Sequence, residues 1–243
     1  MRCFDLPYFD ERNAKIDMIV IHCLSHSVQS AIDTFHHHRV SAHYLIDEKG
    51  KIYSLVAEHK RAWHAGQSFW QNRKGLNDNS IGIELCSPSL GQTSYPMHQI
   101  SALIRLCQKL KHKYHIKKEN ILGHSDIAPT RKPDPGKAFP WAYLARHGLG
   151  IWYNKKNAAQ VKLNSYEELL KQIGYDTSNL SAATFAFMRR FIPEFIPDEK
   201  IENLLTKPYP DTIDADQALL LQVLKAVFFQ IRKSFFHNNH ILK

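Results

Sequence analysis

The chain is short of cysteine. Its four residues of this type, Cys3, Cys23, Cys86 and Cys107, form no CxxC pair and follow no regular spacing. That argues against a disulfide framework or a zinc knuckle and for reduced, buried thiols. No run of Lys and Arg exceeds two residues, so the excess of 32 basic over 23 acidic residues comes without a nucleic-acid-binding motif. A bilayer-spanning run is also missing: the most apolar late stretch, 218–236, is broken by Gln222, Lys225, Gln230 and Arg232. The amino-terminal stretch carries Asp5, Asp10 and Glu11 where an export signal needs an apolar core. The expected compartment is therefore the cytoplasm, with the periplasm or cell envelope as the alternative. Compact metal motifs such as HExxH do not occur.

What the chain does have is a core and many histidines. With 44% apolar and 11% aromatic residues it can bury a core, which excludes wholesale disorder. Of 15 His, 13 fall in residues 1–153, and that part holds 20 basic against 13 acidic residues. The chemistry is expected there, and a basic surface suits an anionic partner.

Hydrophobic patterning predicts alternating strands and helices. The run from Ile16 to Ile21 reads as a buried strand ending at His22, and a short helix follows over Val28 to His38. His43 to Ile46 and Lys51 to Val56 flank a turn containing Gly50, as in a β-hairpin. Lys60 to Asn79 has no sustained period and is expected to be a long loop. In the next strand Ile81, Ile83 and Leu85 share one face, while Gly82 and Glu84 share the other. A helix over His98 to His112 and a short strand at Ile121 and Leu122 lead to His124, after which four prolines up to Pro140 oppose regular structure. The fold class expected is α/β (α+β): a mixed central sheet flanked by helices, followed by a small three-helix domain. The boundaries are 1–153 for the first domain, a polar linker at 154–164, and helices over 165–236. Ser165 with Glu168 marks the first helical start, Gly174 its end, and Asp214 and Asp216 precede the third helix.

Candidate ligands emerge from strand ends. His22, His43 and His124 stand at or beside predicted strands, Asp134 lies in the Pro-rich loop, and Glu84 sits on the polar side of its strand. Two imidazoles and a carboxylate with an open fourth position suit a catalytic zinc ion. Cys23 alternates away from His22 and is not counted as a ligand. The tract His36, His37 and His38 has no carboxylate framing and reads as a solvated helix end.

The segments IDMIVIHC, VSAHYLIDEKGKIYSLVAEHKRAWHAG, LNDNSIGIELCSP and ILGHSDIAPTRKPDPGKAFPW occur in that order. Together they resemble the type 2 N-acetylmuramoyl-L-alanine amidases, a family that includes peptidoglycan recognition proteins and phage lysozyme amidases. The resemblance covers residues 14–153 and is greatest for two-domain members. It implies that His22, His124 and Asp134 bind Zn2+, that Glu84 is the catalytic carboxylate, and that Lys132 assists at the reacting carbonyl. Lys132 and Asp134 are two apart, so an extended segment would aim both into one cavity. His43 and His64, in SAHY and WHAG, would line the cleft, with Trp63 shaping it. The reaction implied is hydrolysis of the bond between N-acetylmuramic acid and L-alanine, with Glu84 shuttling the proton. The partner would be peptidoglycan or soluble muropeptides, drawn in by the basic surface, and a monomer is expected. The later helices resemble peptidoglycan-binding domains, with KQIGYD and FAFMRRF the best-matching pieces. A non-catalytic recognition module is the alternative function, and a nucleic-acid binder the distant one.

Overall fold

The apolar run before His22 and the one before Glu84 pair side by side at the centre of a sheet. In the computed structural model, residues 2–3, 6–24, 27–198 and 201–239 are described, without the side chains of 2, 3 and 235–239. Asp5, the thiol of Cys3, His240 and the side chains ending the last expected helix lie outside the described residues. In chain order the strands are β1 (Arg2–Cys3), β2 (Phe9–Glu11), β3 (Met18–Leu24), β4 (Tyr44–Ile46), β5 (Ile52–Ser54), β6 (Lys60–Ala62), β7 (Phe69–Trp70), β8 (Arg73–Lys74), β9 (Ser80–Cys86) and β10 (Ile121–Gly123). The helices are α1 (Val28–His38), α2 (Met97–Tyr114), α3 (His124–Ile127), α4 (Trp141–Arg146), α5 (Tyr166–Ile173), α6 (Leu180–Phe191), α7 (Ile201–Thr206) and α8 (Gln217–Asn239).

The main sheet has the order β1-β5-β4-β9-β3-β10, with all pairs parallel except the β4–β5 hairpin. It is the mixed sheet flanked by helices that the sequence pattern implies. Both central strands are enclosed, so strand alternation sorts their side chains between two apolar clusters. Ile19, Ile21, Ile81, Ile83 and Leu85 face α2 through Ile100, Leu103 and Leu110. Met18, Val20 and Leu122 face the other way and join one cluster with Leu169 and Ile173 of α5, Phe187 and Phe191 of α6, and Val223 and Val227 of α8. The helical segment thus covers the sheet face that carries His22.

Local signals explain the helix ends. Ser165 accepts from the Glu168 N–H at 3.2 Å, Asn179 from Ala182 at 2.9 Å and Asp216 from Leu219 at 3.1 Å. The segment 154–164, polar in sequence, contains a 3-10 stretch, Lys155–Gln160, and its Val161 and Leu163 pack on the helical cluster. Residues 60–79 differ from the expected plain loop. β6 pairs with β2 some fifty residues away, and β7–β8 is a hairpin whose turn residues Gln71 and Asn72 take φ of 49° and 63°. That turn lacks the usual glycine, and β2 is remote in sequence, so neither left a local signature. The Pro-rich stretch begins with one helical turn, α3, ahead of the first of its prolines, Pro129.

Cys23, Cys86 and Cys107 are free and buried. His36, His37 and His38 are exposed at the end of α1. One cluster of basic residues lies away from His22. Lys111, Lys118, Lys233, His112, His115 and His147 line a cavity of about 840 Å³ beside the start of β10, whereas His124 follows its end. No helix among the described residues is long and apolar enough to cross a membrane.

Candidate active site

Parallel register puts His22 of β3 directly beside Glu84 of β9. β10 delivers His124 next to them, because Leu122 is level with Val20 and the chain turns into α3 one residue after Gly123. Asp134 comes from the loop beyond α3, anchored where its carbonyl accepts the Ser125 N–H at 2.8 Å. All four groups are buried.

The ligand atoms converge. His22 Nδ1 lies 2.9 Å from His124 Nδ1, and Asp134 Oδ2 lies 3.1 Å from the latter and 3.3 Å from the former. A tetrahedral set with metal–ligand distances near 2.0–2.1 Å has edges of about 3.3 Å, so these spacings fit one small cation.

The outer nitrogens are all engaged, which assigns the tautomers. Ser80 Oγ–H donates to the Leu76 carbonyl at 2.5 Å, leaving Oγ to accept from His64 Nε2 at 3.2 Å. His64 Nδ1 then accepts from His22 Nε2 at 3.0 Å. His124 Nε2 donates to the Ala65 carbonyl at 3.2 Å. Both Nδ1 lone pairs therefore face Asp134 with no proton between them, an arrangement that a cation satisfies.

Electrostatics point the same way. Burial, then the neighbouring His124, pushes His22 down to about 4, and burial with His22 and His43 nearby holds His64 well below its usual range. Glu84 goes the other way. Burial and the Asp134 charge push it well above the carboxylate range, against a pull from Lys132, and its Oε2 has no hydrogen-bond partner. Lys132 is half-buried and its charge acts on both Glu84 and His22.

The other expected cleft residues take different places. His64 lies behind His22 as its hydrogen-bond partner. His43 is fully buried: its Nδ1 accepts the Gly82 N–H at 3.0 Å and its Nε2 donates to the Lys60 carbonyl at 3.1 Å. Trp63 is half-buried and its side chain bonds Asp10 on the β2–β6 ribbon, so it is not brought into the cluster.

Several supporting residues had no sequence signal. Asn77 Oδ1 accepts the backbone N–H groups of His64 at 3.0 Å and Ala65 at 2.7 Å. Arg12 donates to the carbonyls of Asn77, Asp78, Lys60 and Ser80, tying β2 to this corner. Arg131 donates to the carbonyls of Ala65 and Gln67. These are side-chain bonds to distant backbone, which local patterning does not encode. A cavity of about 530 Å³ adjoins the corner, lined by Gly66, Gln67, Thr130 and Arg131 and, from the turn between α5 and α6, Asp176 and Ser178.

Convergent imidazoles and a carboxylate at a sheet end, with an unpartnered acid alongside, form a cluster that could hold a metal ion, the arrangement metal-dependent hydrolases use as a class. The N-acetylmuramoyl-L-alanine amidase family matches residues 12–137. The chain is 38% identical over 186 residues to the N-acetylmuramoyl-L-alanine amidase AmiD of Escherichia coli (strain K12), spanning 67% of each chain. It is 49% identical over 107 residues to the 1,6-anhydro-N-acetylmuramyl-L-alanine amidase AmpD of the same organism, 44% of this chain and 57% of that one. The structure resembles that of E. coli AmiD in complex with anhydro-N-acetylmuramic acid-L-Ala-D-gamma-Glu-L-Lys, with a TM-score of 0.73 and 31% identity over 90% of this chain and 93% of that one. The chain belongs to the N-acetylmuramoyl-L-alanine amidase family.

Proposed function

We propose that this protein hydrolyses the amide between N-acetylmuramic acid and the L-alanine of a stem peptide, in peptidoglycan or in muropeptides cut from it, at a zinc site formed by His22, His124 and Asp134. The observation that carries the reading is the convergence of those three donors beside the unpartnered carboxylate of Glu84. Zinc, when bound, brings a water's pKa toward about 7 and polarises a carbonyl. The chain's own residues supply the rest.

Glu84 accepts the proton of the attacking water and returns it to the departing alanine nitrogen, a role suited to a carboxyl whose affinity for protons burial has raised. Lys132 places positive charge where the carbonyl oxygen becomes negative. His64 keeps His22 in the tautomer whose Nδ1 is bare, and His43 braces β9 through Gly82. The cavity beside Arg131 has room for a glycopeptide fragment. In this reading residues 1–153 are the amidase domain, 154–164 connect, and 165–236 are a peptidoglycan-binding-like helical domain. The apolar cluster it shares with the sheet favours a second role in shaping the site.

The test is peptide release from soluble anhydro-muropeptides and from intact sacculi, with and without a chelator. Release should stop on chelation and return with zinc. Release that persists in the chelated protein overturns the zinc assignment.

A further inference from the structure

Beneath His124 lies a buried polar cluster that the amide hydrolysis does not use directly. Asp126, two residues along α3, is almost fully enclosed, and its Oδ2 accepts the Gly123 N–H at 2.8 Å, closing the turn that sets the backbone of His124. The same oxygen takes a short ion pair from Arg190 Nη1, and Oδ1 accepts the Tyr175 hydroxyl at 2.6 Å. Tyr175 follows the end of α5 and Arg190 lies near the end of α6, so both come from the helical segment. Arg190 is 3% exposed. It also donates to the Ile121 carbonyl at 3.2 Å and lies over the Trp141 ring at 3.9 Å. A charged pair so enclosed has few alternative geometries, and the groups around it are held by two separate parts of the chain.

We propose that Arg190 and Tyr175 are positioning residues for the ligand His124, acting through Asp126, so that the helical segment sets the metal affinity of the first domain's site. This rests on the zinc-site reading above. Outer partners of metal ligands typically carry a 10–100-fold effect on affinity, and here the partner of the ligand's turn is supplied from the helices. Arg189, the adjacent buried arginine, provides the contrast: its Nη2 donates to the Pro208 carbonyl at 2.7 Å and its guanidinium lies 4.9 Å from the Phe185 ring, and both of these partners belong to the helical segment.

The experiment measures zinc affinity by competition with a chromogenic chelator, and thermal stability of the zinc-free protein, on the full chain. Wild type, Arg190→Met, Tyr175→Phe, Arg190→Lys and Arg189→Met are compared. The expected result is a loss of zinc affinity of about 10–100-fold in Arg190→Met, a smaller loss in Tyr175→Phe, and partial recovery in Arg190→Lys. Arg189→Met should lower stability while leaving zinc affinity within about threefold. Equal affinity in Arg190→Met and Arg189→Met at matched stability overturns the proposal. Should Arg190→Met fail to fold, Tyr175→Phe decides, because it removes one hydroxyl, and wild-type affinity in that variant is equally fatal. Wild-type protein that binds no zinc would instead refute the ligand assignment itself, and this coupling with it.

Discussion

The substitution Gly82→Ala tests how His22 is held. A Cβ built on Gly82 would lie 2.4 Å from Cγ of His64, 2.6 Å from Cδ2 and 2.7 Å from Nδ1. The strand has little freedom to retreat: Gly82 is level with Val20 on β3, its N–H donates to His43 Nδ1 and its carbonyl accepts the His43 N–H at 3.0 Å. The imidazole must move instead, by roughly 1 Å, to restore ordinary van der Waals spacing. That displacement stretches the 3.0 Å bond between His64 Nδ1 and His22 Nε2 past hydrogen-bond range. Overpacking of this kind costs about 1–3 kcal/mol of stability. Loss of the outer partner should weaken zinc binding 10–100-fold, or about 1.4–2.8 kcal/mol. Chelator competition reads the affinity, and thermal melts of the zinc-free protein read the stability. The double variant Gly82→Ala/His64→Ala removes the clash without restoring the bond, so affinity should stay low even with the strand relaxed. Affinity within twofold of wild type in Gly82→Ala would refute the argument that His64 positions His22.

Three further outcomes follow from other groups. Glu84→Gln should retain zinc stoichiometrically, as read by metal analysis, yet lose on the order of 10²–10⁴ in kcat on soluble muropeptide; near-normal turnover would remove Glu84 from proton transfer. His43 is pushed down to about 3 by burial and by Arg12, from an ordinary 6.5. Being neutral in the fold and protonated when unfolded across that window, it makes stability fall by about 1.4 kcal/mol per pH unit as pH drops from 6.5 toward 3. Denaturant titrations of His43→Gln should show a correspondingly shallower acid slope than wild type. Glu58 is raised by burial but held lower overall by bonds from Lys113, Tyr114 and Tyr44, ending below its ordinary 4.5. Its stabilisation is present above pH 4.5 and is lost as acid protonates it, so the melting-temperature deficit of Glu58→Gln at pH 7 should shrink below pH 4.5.

The candidate site was legible where side-chain type and local period agree. Alternation along Ile81 to Leu85 placed Glu84 opposite the apolar residues, and the packing of Ile81, Ile83 and Leu85 on α2 has the same sense. Ser165, Gly174 and Asp216 marked helix ends through capping bonds that span three or four residues. His43, His64 and Trp63 show where such reading stops. Their motifs grouped them as cleft residues, but one braces a strand, one backs a ligand and one turns to Asp10. Which way each points depends on the β2–β6 pairing and on Arg12 and Asn77, contacts made across tens of residues.

By itself, the sequence determined the mixed α/β class, the main strands and helices around His22, Glu84 and His124, and the small set of His, Asp and Glu residues from which a metal site could be drawn. Residue type and short-range periodicity suffice for that, because both are properties of a few neighbouring positions. Only the tertiary structure decided that His22, His124 and Asp134 meet at one point with their lone pairs facing inward, since that depends on parallel register and on the tautomers imposed by His64 and Ala65. It also decided that the helical segment is joined to the site through Asp126. An ion pair between residues 64 positions apart follows from how two folded surfaces pack, and nothing local to either residue specifies it.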